Sequence, residues 1–225
     1  MTFSIVARCP RSGRFAVAVA SSSPAVAARC AHARAGVGAV TTQNVTDPRL
    51  GPQMLELMQL GASAREAIDI VRRSAPHVEH RQLTAVDKDG ATAGFSGERT
   101  LGCHASAEGR NAVAAGNLLA DPGVPQVMVE AFQAGAAEGD LGDLVIAAMQ
   151  AGLAAGGEAG PIRSAGFLLV DRVAWHVADL RVDWHEEPLA ELARLWQLWR
   201  PQMQAYVDRA LDPAAAPAYG VPGDE

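Results

Sequence analysis

The order of strand and helix signals constrains this chain more than any single motif: strand-like runs fall in three groups, separated by two pairs of consecutive helices. A doubly wound parallel sheet needs strand and helix to alternate, whereas this order lets two antiparallel sheets stack with helices outside them. A layered fold of stacked antiparallel sheets is therefore expected. A chain of 225 residues can bury about 70% of its unfolded surface, enough for one domain.

The signals are local. Apolar runs at 3–8 and 14–20 flank Pro10-Arg11-Ser12-Gly13 and read as an N-terminal hairpin. The run 36–42 reads as a buried strand that delivers Gln43 and Asn44 at its end. Asp47-Pro48 reads as a helix start, followed by Leu50, Met54, Leu57 and Met58 at helical spacing; Gly61 closes that helix, and Ser63 with Glu66 has the spacing of a capping box for the next. Runs 81–86 and 92–95 flank Asp87-Lys88-Asp89-Gly90 as a second hairpin, and 112–115 is a short strand ahead of Gly116-Asn117. Asp121-Pro122 opens the second helix pair, which ends at Gly156-Gly157. Runs 165–170 and 173–180 meet at Asp171-Arg172 in a tight hairpin, and the last helix starts after Pro188. Leu192, Trp196, Trp199, Met203, Tyr206 and Ala210 form one stripe, which either covers the protein's own core or makes a homo-oligomer contact; Pro201 should kink or restart that helix. The expected domain spans 1–211, with 188–211 a C-terminal helix and 212–225 a disordered tail.

Charge and composition exclude several functions. A formal net charge of −6 without any basic run gives no footprint for nucleic acid or an anionic membrane. No stretch approaches the roughly 20 apolar residues of a membrane span and no secretory leader is evident, so a cytoplasmic protein is expected. Three cysteines, Cys9, Cys30 and Cys103, read as free thiols rather than a disulfide framework, with Cys30 and Cys103 buried. Cys30, His32, Cys103 and His104 lack zinc-knuckle spacing, and no phosphate loop or dinucleotide fingerprint occurs. No metal and no cofactor are expected, and the expected partner is a small-molecule substrate.

The chemistry points to the start of the chain. A hydroxyl is a weak nucleophile without a base in reach, and an N-terminal Thr carries such a base as its own α-amine, about half neutral near pH 7.7–8.0. Met1 precedes the small residue Thr2, whose exposure would follow removal of Met1, and Thr2 runs directly into a strand that would hold it rigidly.

MTFSIVAR, then AVAVASSSPAVAARCAHARAGVGAVTTQNVTDPRLGP, RQLTAVD, FSGERTLG and AAGNLLA resemble, in that order over roughly residues 1–185, the family of unknown function numbered 1028. That family is placed with the N-terminal nucleophile hydrolases, so the resemblance implies an α+β four-layer αββα sandwich, Thr2 as nucleophile and an acyl-Thr2 intermediate in the cleavage of a small amide or related acyl bond. An oxyanion then needs donors, for which Asn117, Asn44 and the run Ser21, Ser22 and Ser23 are candidates; both asparagines also suit strand-end turns. Asp47 and Arg49 either bind a substrate carboxylate or cap the helix that follows. Two departures from the family pattern stand out: Cys9 replaces an acidic residue, and Ser-Ser-Ser stands where Ser-Lys is usual, so that either Arg29 or Arg34 replaces that charge or the hydroxyls act alone. The rival readings are a ligand-binding or assembly protein on the same fold, and a thiol nucleophile at one of the cysteines.

Overall fold

The computed structural model describes residues 2–223. In chain order it contains β1 (Thr2–Arg8), β2 (Phe15–Ser21), the short helix α1 (Ala27–Cys30), β3 (Ala31–Arg34), β4 (Gly38–Asn44), α2 (Leu50–Gln59) and α3 (Ala64–Ser74). A single 3₁₀ turn precedes β5 (Arg81–Asp87), β6 (Thr92–Ser96), β7 (Ala105–Gly109) and β8 (Ala112–Asn117). Helices α4 (Val124–Gly135) and α5 (Leu141–Ala154), strands β9 (Ser164–Val170) and β10 (His176–Val182), and helices α6 (Pro188–Trp199) and α7 (Met203–Leu211) complete it.

The strands form two antiparallel sheets, one of six in the order β10-β9-β2-β1-β8-β7 and one of four in the order β3-β4-β5-β6. Strand alternation sends Phe3, Ile5 and Ala7 to one face of the larger sheet, where they pack with Phe132, Met149, Phe167 and Trp196 from α4, α5, β9 and α6. Val6, Val17, Val19, Val113 and Leu168 point the other way and meet Ala39 and Val86 of the smaller sheet. That sheet's outer face, with Val40 and Leu83, is covered by Met54 of α2 and Ile68 of α3. The layers are thus helix, sheet, sheet, helix, the expected αββα sandwich.

Several local expectations change. The sequence reading passed over β3, β7 and α1. Both strands are sheet edges built from Ala, Ser, Glu, Gly, His and Arg, residues with little strand preference, and an edge packs on only one neighbour. The Asp171-Arg172 connection is a longer loop, with a register shift between His176 and Ala178. Asp47 does not cap α2. It accepts at 3.1 Å from the N–H of Arg49, the residue just before the helix, while Ser63 and Glu66 make the capping box as read. Pro201 separates α6 from α7, a restart. Leu192, Trp196 and Met203 of the C-terminal stripe are buried in this chain's own core. Cys103 is exposed, not buried, because it lies in the loop ahead of β7; Cys9 and Cys30 are buried.

In the expected tail, the Arg209 guanidinium donates to Pro217 O and Ala218 O, both at 3.0 Å, and stacks over the Tyr219 ring at 3.9 Å; residues 224–225 lie outside the described range.

Candidate functional site

Between the sheets the apolar layer gives way at one end to polar side chains. Thr2 and Ser4 on β1, Ser21 on β2, Thr41 and Gln43 on β4, Gln82 and Thr84 on β5, Asn117 on β8 and Ser164 on β9 are all buried. Polar groups at such depth are costly unless paired, and here nearly all are. The alternation that buries Phe3 and Ile5 beneath the helices turns Thr2 and Ser4 towards the second sheet, and the pairings of β1 bring them beside β8 and β2.

Thr2 lies directly opposite Asn117 in the β1–β8 register, and its Oγ1 donates to Ser21 Oγ at 3.3 Å. Ser21 Oγ also accepts the Ser23 N–H at 3.0 Å. Ser164, opposite Ser21, donates to Ser23 O at 2.6 Å and accepts from Val26 N at 3.2 Å, fixing the turn that follows the serine run.

A chain of amides runs beneath Thr2, and main-chain carbonyls set its direction. Gln82 Nε2 donates to Gly116 O at 3.0 Å, to Ser96 Oγ at 3.0 Å and to Ala105 O at 3.3 Å. Carbonyls only accept, so Gln82 must present Oε1 on its other side, where it receives Gln43 Nε2 at 2.8 Å and Asn117 Nδ2 at 3.1 Å. Gln43 Oε1 in turn accepts from Ser4 Oγ at 2.7 Å. With Nδ2 committed to Gln82, Asn117 is left with Oδ1 as a fully buried acceptor that has no partner among the described residues. An unmet buried acceptor costs about 1–3 kcal/mol. Directly opposite residues of an antiparallel pair share a face, so this acceptor sits beside the Thr2 side chain.

The remaining serine-run donor is held from another loop. Glu158, only 5% exposed, accepts the single Ser22 N–H on both oxygens, at 3.1 and 3.2 Å. Burial pushes its carboxyl up to about 7, against the opposing pull of the positive chain terminus and the Ser22 bonds. Its loop is tied to the turn after Asn117 through the Leu119–Glu158 bridge and the bond from Ala159 N to Leu118 O at 2.9 Å. Burial raises the Cys30 thiol, while a hydrogen bond with Thr46 works the other way.

The sequence candidates therefore separate. Thr2, Ser21, Ser22, Ser23 and Asn117 come together. Asn44 instead braces loops, donating to His80 O at 2.6 Å and accepting from Leu101 N at 3.2 Å, in a left-handed conformation at φ +75°. Asp47 and Arg49 pair with each other at 2.8 Å, and the Arg49 hydrogen bond holds the Asp47 carboxyl below its usual range. Arg29 donates to Ala25 O at 3.1 Å, Arg34 reaches Gln59, and the only lysine, Lys88, pairs with Asp89. Among the described residues no three His, Cys, Asp or Glu side chains are grouped to hold a metal ion, and no helix is long and apolar enough to cross a membrane.

Sequence reasoning passed over Ser4, Gln82 and Glu158. Ser4 and Gln82 carried a signal, a polar residue inside an apolar run where alternation demands burial. Glu158, within Gly-Gly-Glu-Ala-Gly, carried none.

The profile of the family of unknown function DUF1028 matches residues 2–192. The crystal structure of protein SPO2555 from Silicibacter pomeroyi, also assigned to DUF1028, superposes with a TM-score of 0.81 at 28% identity, covering 88% of this chain and 85% of that one. Anbu (ancestral beta-subunit) from Yersinia bercovieri aligns at 14% identity over 91% of this chain and 97% of its own, with a TM-score of 0.37. No curated protein matches.

Proposed function

The chain belongs to the DUF1028 family, and on that premise we propose that it is an amidohydrolase of the N-terminal nucleophile type, which cleaves a small amide or related acyl bond through an acyl-Thr2 intermediate once Met1 is removed. Met1 lies outside the described residues. The observation that carries the reading is the setting of Thr2: a hydroxyl at the first position of a buried strand, bonded to Ser21 Oγ and facing the unmatched acceptor Asn117 Oδ1.

Removal of one residue converts the Thr2 amide nitrogen into an amine with additional N–H bonds. Asn117 Oδ1 is placed to accept one of them and so to orient the amine. The amine lone pair takes the Oγ1 proton as the oxygen attacks the acyl carbon, and the resulting ammonium returns that proton to the leaving nitrogen as the carbon–nitrogen bond breaks. Water, deprotonated by the same amine, then releases the acyl group from Oγ1. Asn117, through the second Nδ2 hydrogen, and Ser21 are the donors nearest the developing oxyanion. The backbone donors of Ser22 and Ser23 are committed to Glu158 and Ser21.

The test is intact mass and N-terminal sequencing, followed by labelling with an acylating β-lactone. Wild-type protein should begin at Thr2 and gain one adduct on it, Thr2→Ser should keep the adduct, and Thr2→Ala should lose it without loss of fold. Full retention of Met1, or undiminished labelling of Thr2→Ala, overturns the reading.

A second reading rests on the 5% exposure of Thr2: a protein that binds a small molecule without turnover needs no access to that hydroxyl. A retained Met1 together with ligand binding would select it.

A further inference from the structure

We propose that Glu158 is a positioning residue for the Thr2 α-amine, holding one of its N–H bonds while Asn117 Oδ1 holds another, so that the lone pair is left for Thr2 Oγ1. The use of that lone pair rests on the amidohydrolase reading; the contact itself rests on the arrangement of the strands.

In the larger sheet β1 lies between β2 and β8. The pairings Phe3↔Ala20 and Thr2↔Asn117, continued by one step, aim the Thr2 nitrogen between Ser22 and Leu118. Glu158 joins those two sides. Its main chain runs beside the continuation of β8, through the Leu119–Glu158 bridge and the bonds from Ala159 N to Leu118 O at 2.9 Å and from Ala120 N to Gly157 O at 3.1 Å. Its carboxylate reaches the other side, accepting from Ser22 N at 3.1 and 3.2 Å. A side chain anchored beside β8 and bonded beyond β2 crosses the end of β1. Both oxygens share the Ser22 N–H and each keeps a further lone pair, and the positive chain terminus acts on the carboxyl. Once Met1 is removed, that charge resides on the Thr2 nitrogen.

A neutral amine has two N–H bonds and one lone pair. With Asn117 as its sole acceptor, rotation about the Cα–N bond would turn the second N–H towards Oγ1 as readily as the lone pair. Asn117 Oδ1 and Glu158 together take both N–H bonds and direct the lone pair at the Oγ1 proton. The ammonium formed on attack carries that proton as its third N–H, ready for the leaving nitrogen. The other acidic groups on the Glu158 side are Glu186 and Glu187; Glu186 pairs with Arg163 and Glu187 is exposed. The Cys30 thiol, raised by burial, adds no charge.

The experiment titrates the Thr2 amine directly, on a chain made to begin at Thr2 by proteolytic removal of a leader, from the pH dependence of its reaction with acetic anhydride read by mass spectrometry. A carboxylate beside an ammonium raises the amine's pKa, so Glu158→Gln, which keeps an acceptor for Ser22, should lower it by about one pH unit. Glu187→Gln should leave it in place. The converse measurement needs no substitution: acetylation of the Thr2 amine removes its charge and should raise the titration of Glu158, followed by its carboxyl carbon-13 resonance, by the same amount. An amine that titrates in Glu158→Gln as it does in wild type, or a Glu158 titration indifferent to acetylation, overturns the proposal. Failure of the nucleophile reading shows separately, as absent β-lactone adducts on a chain whose two titrations still respond to each other.

Discussion

Gln82 sets the direction of the amide relay beneath Thr2, because its Nε2 is pinned by Gly116 O and Ala105 O. Gln82→Leu would remove the acceptor for Gln43 and Asn117 and the donor for those carbonyls, at roughly 3–5 kcal/mol for several unmet buried groups. At this chain length that corresponds to a fall in Tm of roughly 10 °C, to be read by calorimetry. Glu158 makes a prediction of opposite character. Its folded pKa of about 7 stands above the ordinary 4.5, so the folded state holds its proton more tightly than the unfolded one. The associated stability is complete below pH 4.5 and is lost as pH rises through 7, by about 2–3 kcal/mol. Chemical denaturation from pH 4 to 8 should show that decline, and Glu158→Gln should flatten it and exceed wild type in stability at pH 8. At this scale the sequence marks residues whose chemistry is intrinsic: Thr2 by its place behind Met1, and the serines and Asn117 by the motifs around them. Glu158 stays hidden because its significance is desolvation, which a loop sequence of Gly and Ala does not encode.

The elements that were legible are those whose ends carry their own chemistry. Ser63 and Glu66 close a reciprocal cap on α3, with Ser63 N donating to Glu66 Oε2 at 2.8 Å. Ser63→Ala should cost about 1 kcal/mol and lower Tm by about 2–4 °C. Elements fixed by contact with others were not legible in the same way: the edge strands β3 and β7 draw order from a neighbour more than from their own residues. The approach of α5 to α6 is of this second kind. A Cβ on Gly142 would lie 2.3 Å from Trp196 Cζ2, and the indole cannot swing away because it is fully buried and its Nε1 donates to Asp143 Oδ1 at 2.8 Å. Gly142→Ala gains at most about 1 kcal/mol in helix propensity, but overpacking costs about 1–3 kcal/mol. A net loss of about 1–2 kcal/mol is expected in a urea titration, and Gly61→Ala, with open space but φ +106°, offers a purely conformational comparison.

At the scale of the whole molecule, element order conveyed the layering, since paired helices between strand groups leave few ways to cover two antiparallel sheets. It did not convey how far the core extends along the chain. The DUF1028 match ends at residue 192, yet Trp196 is fully buried against Phe167, ring centroids 5.2 Å apart, and Met203 is buried with it. The C-terminal helices therefore complete the outer layer over the larger sheet. A chain ending at 192 would lose the Trp196 side chain, whose deletion alone costs about 3–5 kcal/mol, a large share of the roughly 5–15 kcal/mol that holds a domain together. It should show lost near-ultraviolet dichroism and exposed apolar surface. A chain ending at 212 forfeits only exposed contacts such as those of Arg209 with Pro217 and Ala218, each worth about 1 kcal/mol or less, and should melt within a few degrees of the full chain. If the 192 chain instead kept a cooperative transition at the full-length temperature, α6 and α7 would be an appendage on a sandwich that closes without them. Denaturation curves from Trp fluorescence of a Trp175→Phe, Trp184→Phe chain, whose remaining indoles Trp196 and Trp199 lie on α6, and from far-ultraviolet dichroism, which reports the whole fold, distinguish the two arrangements: coincident curves mean one cooperative unit.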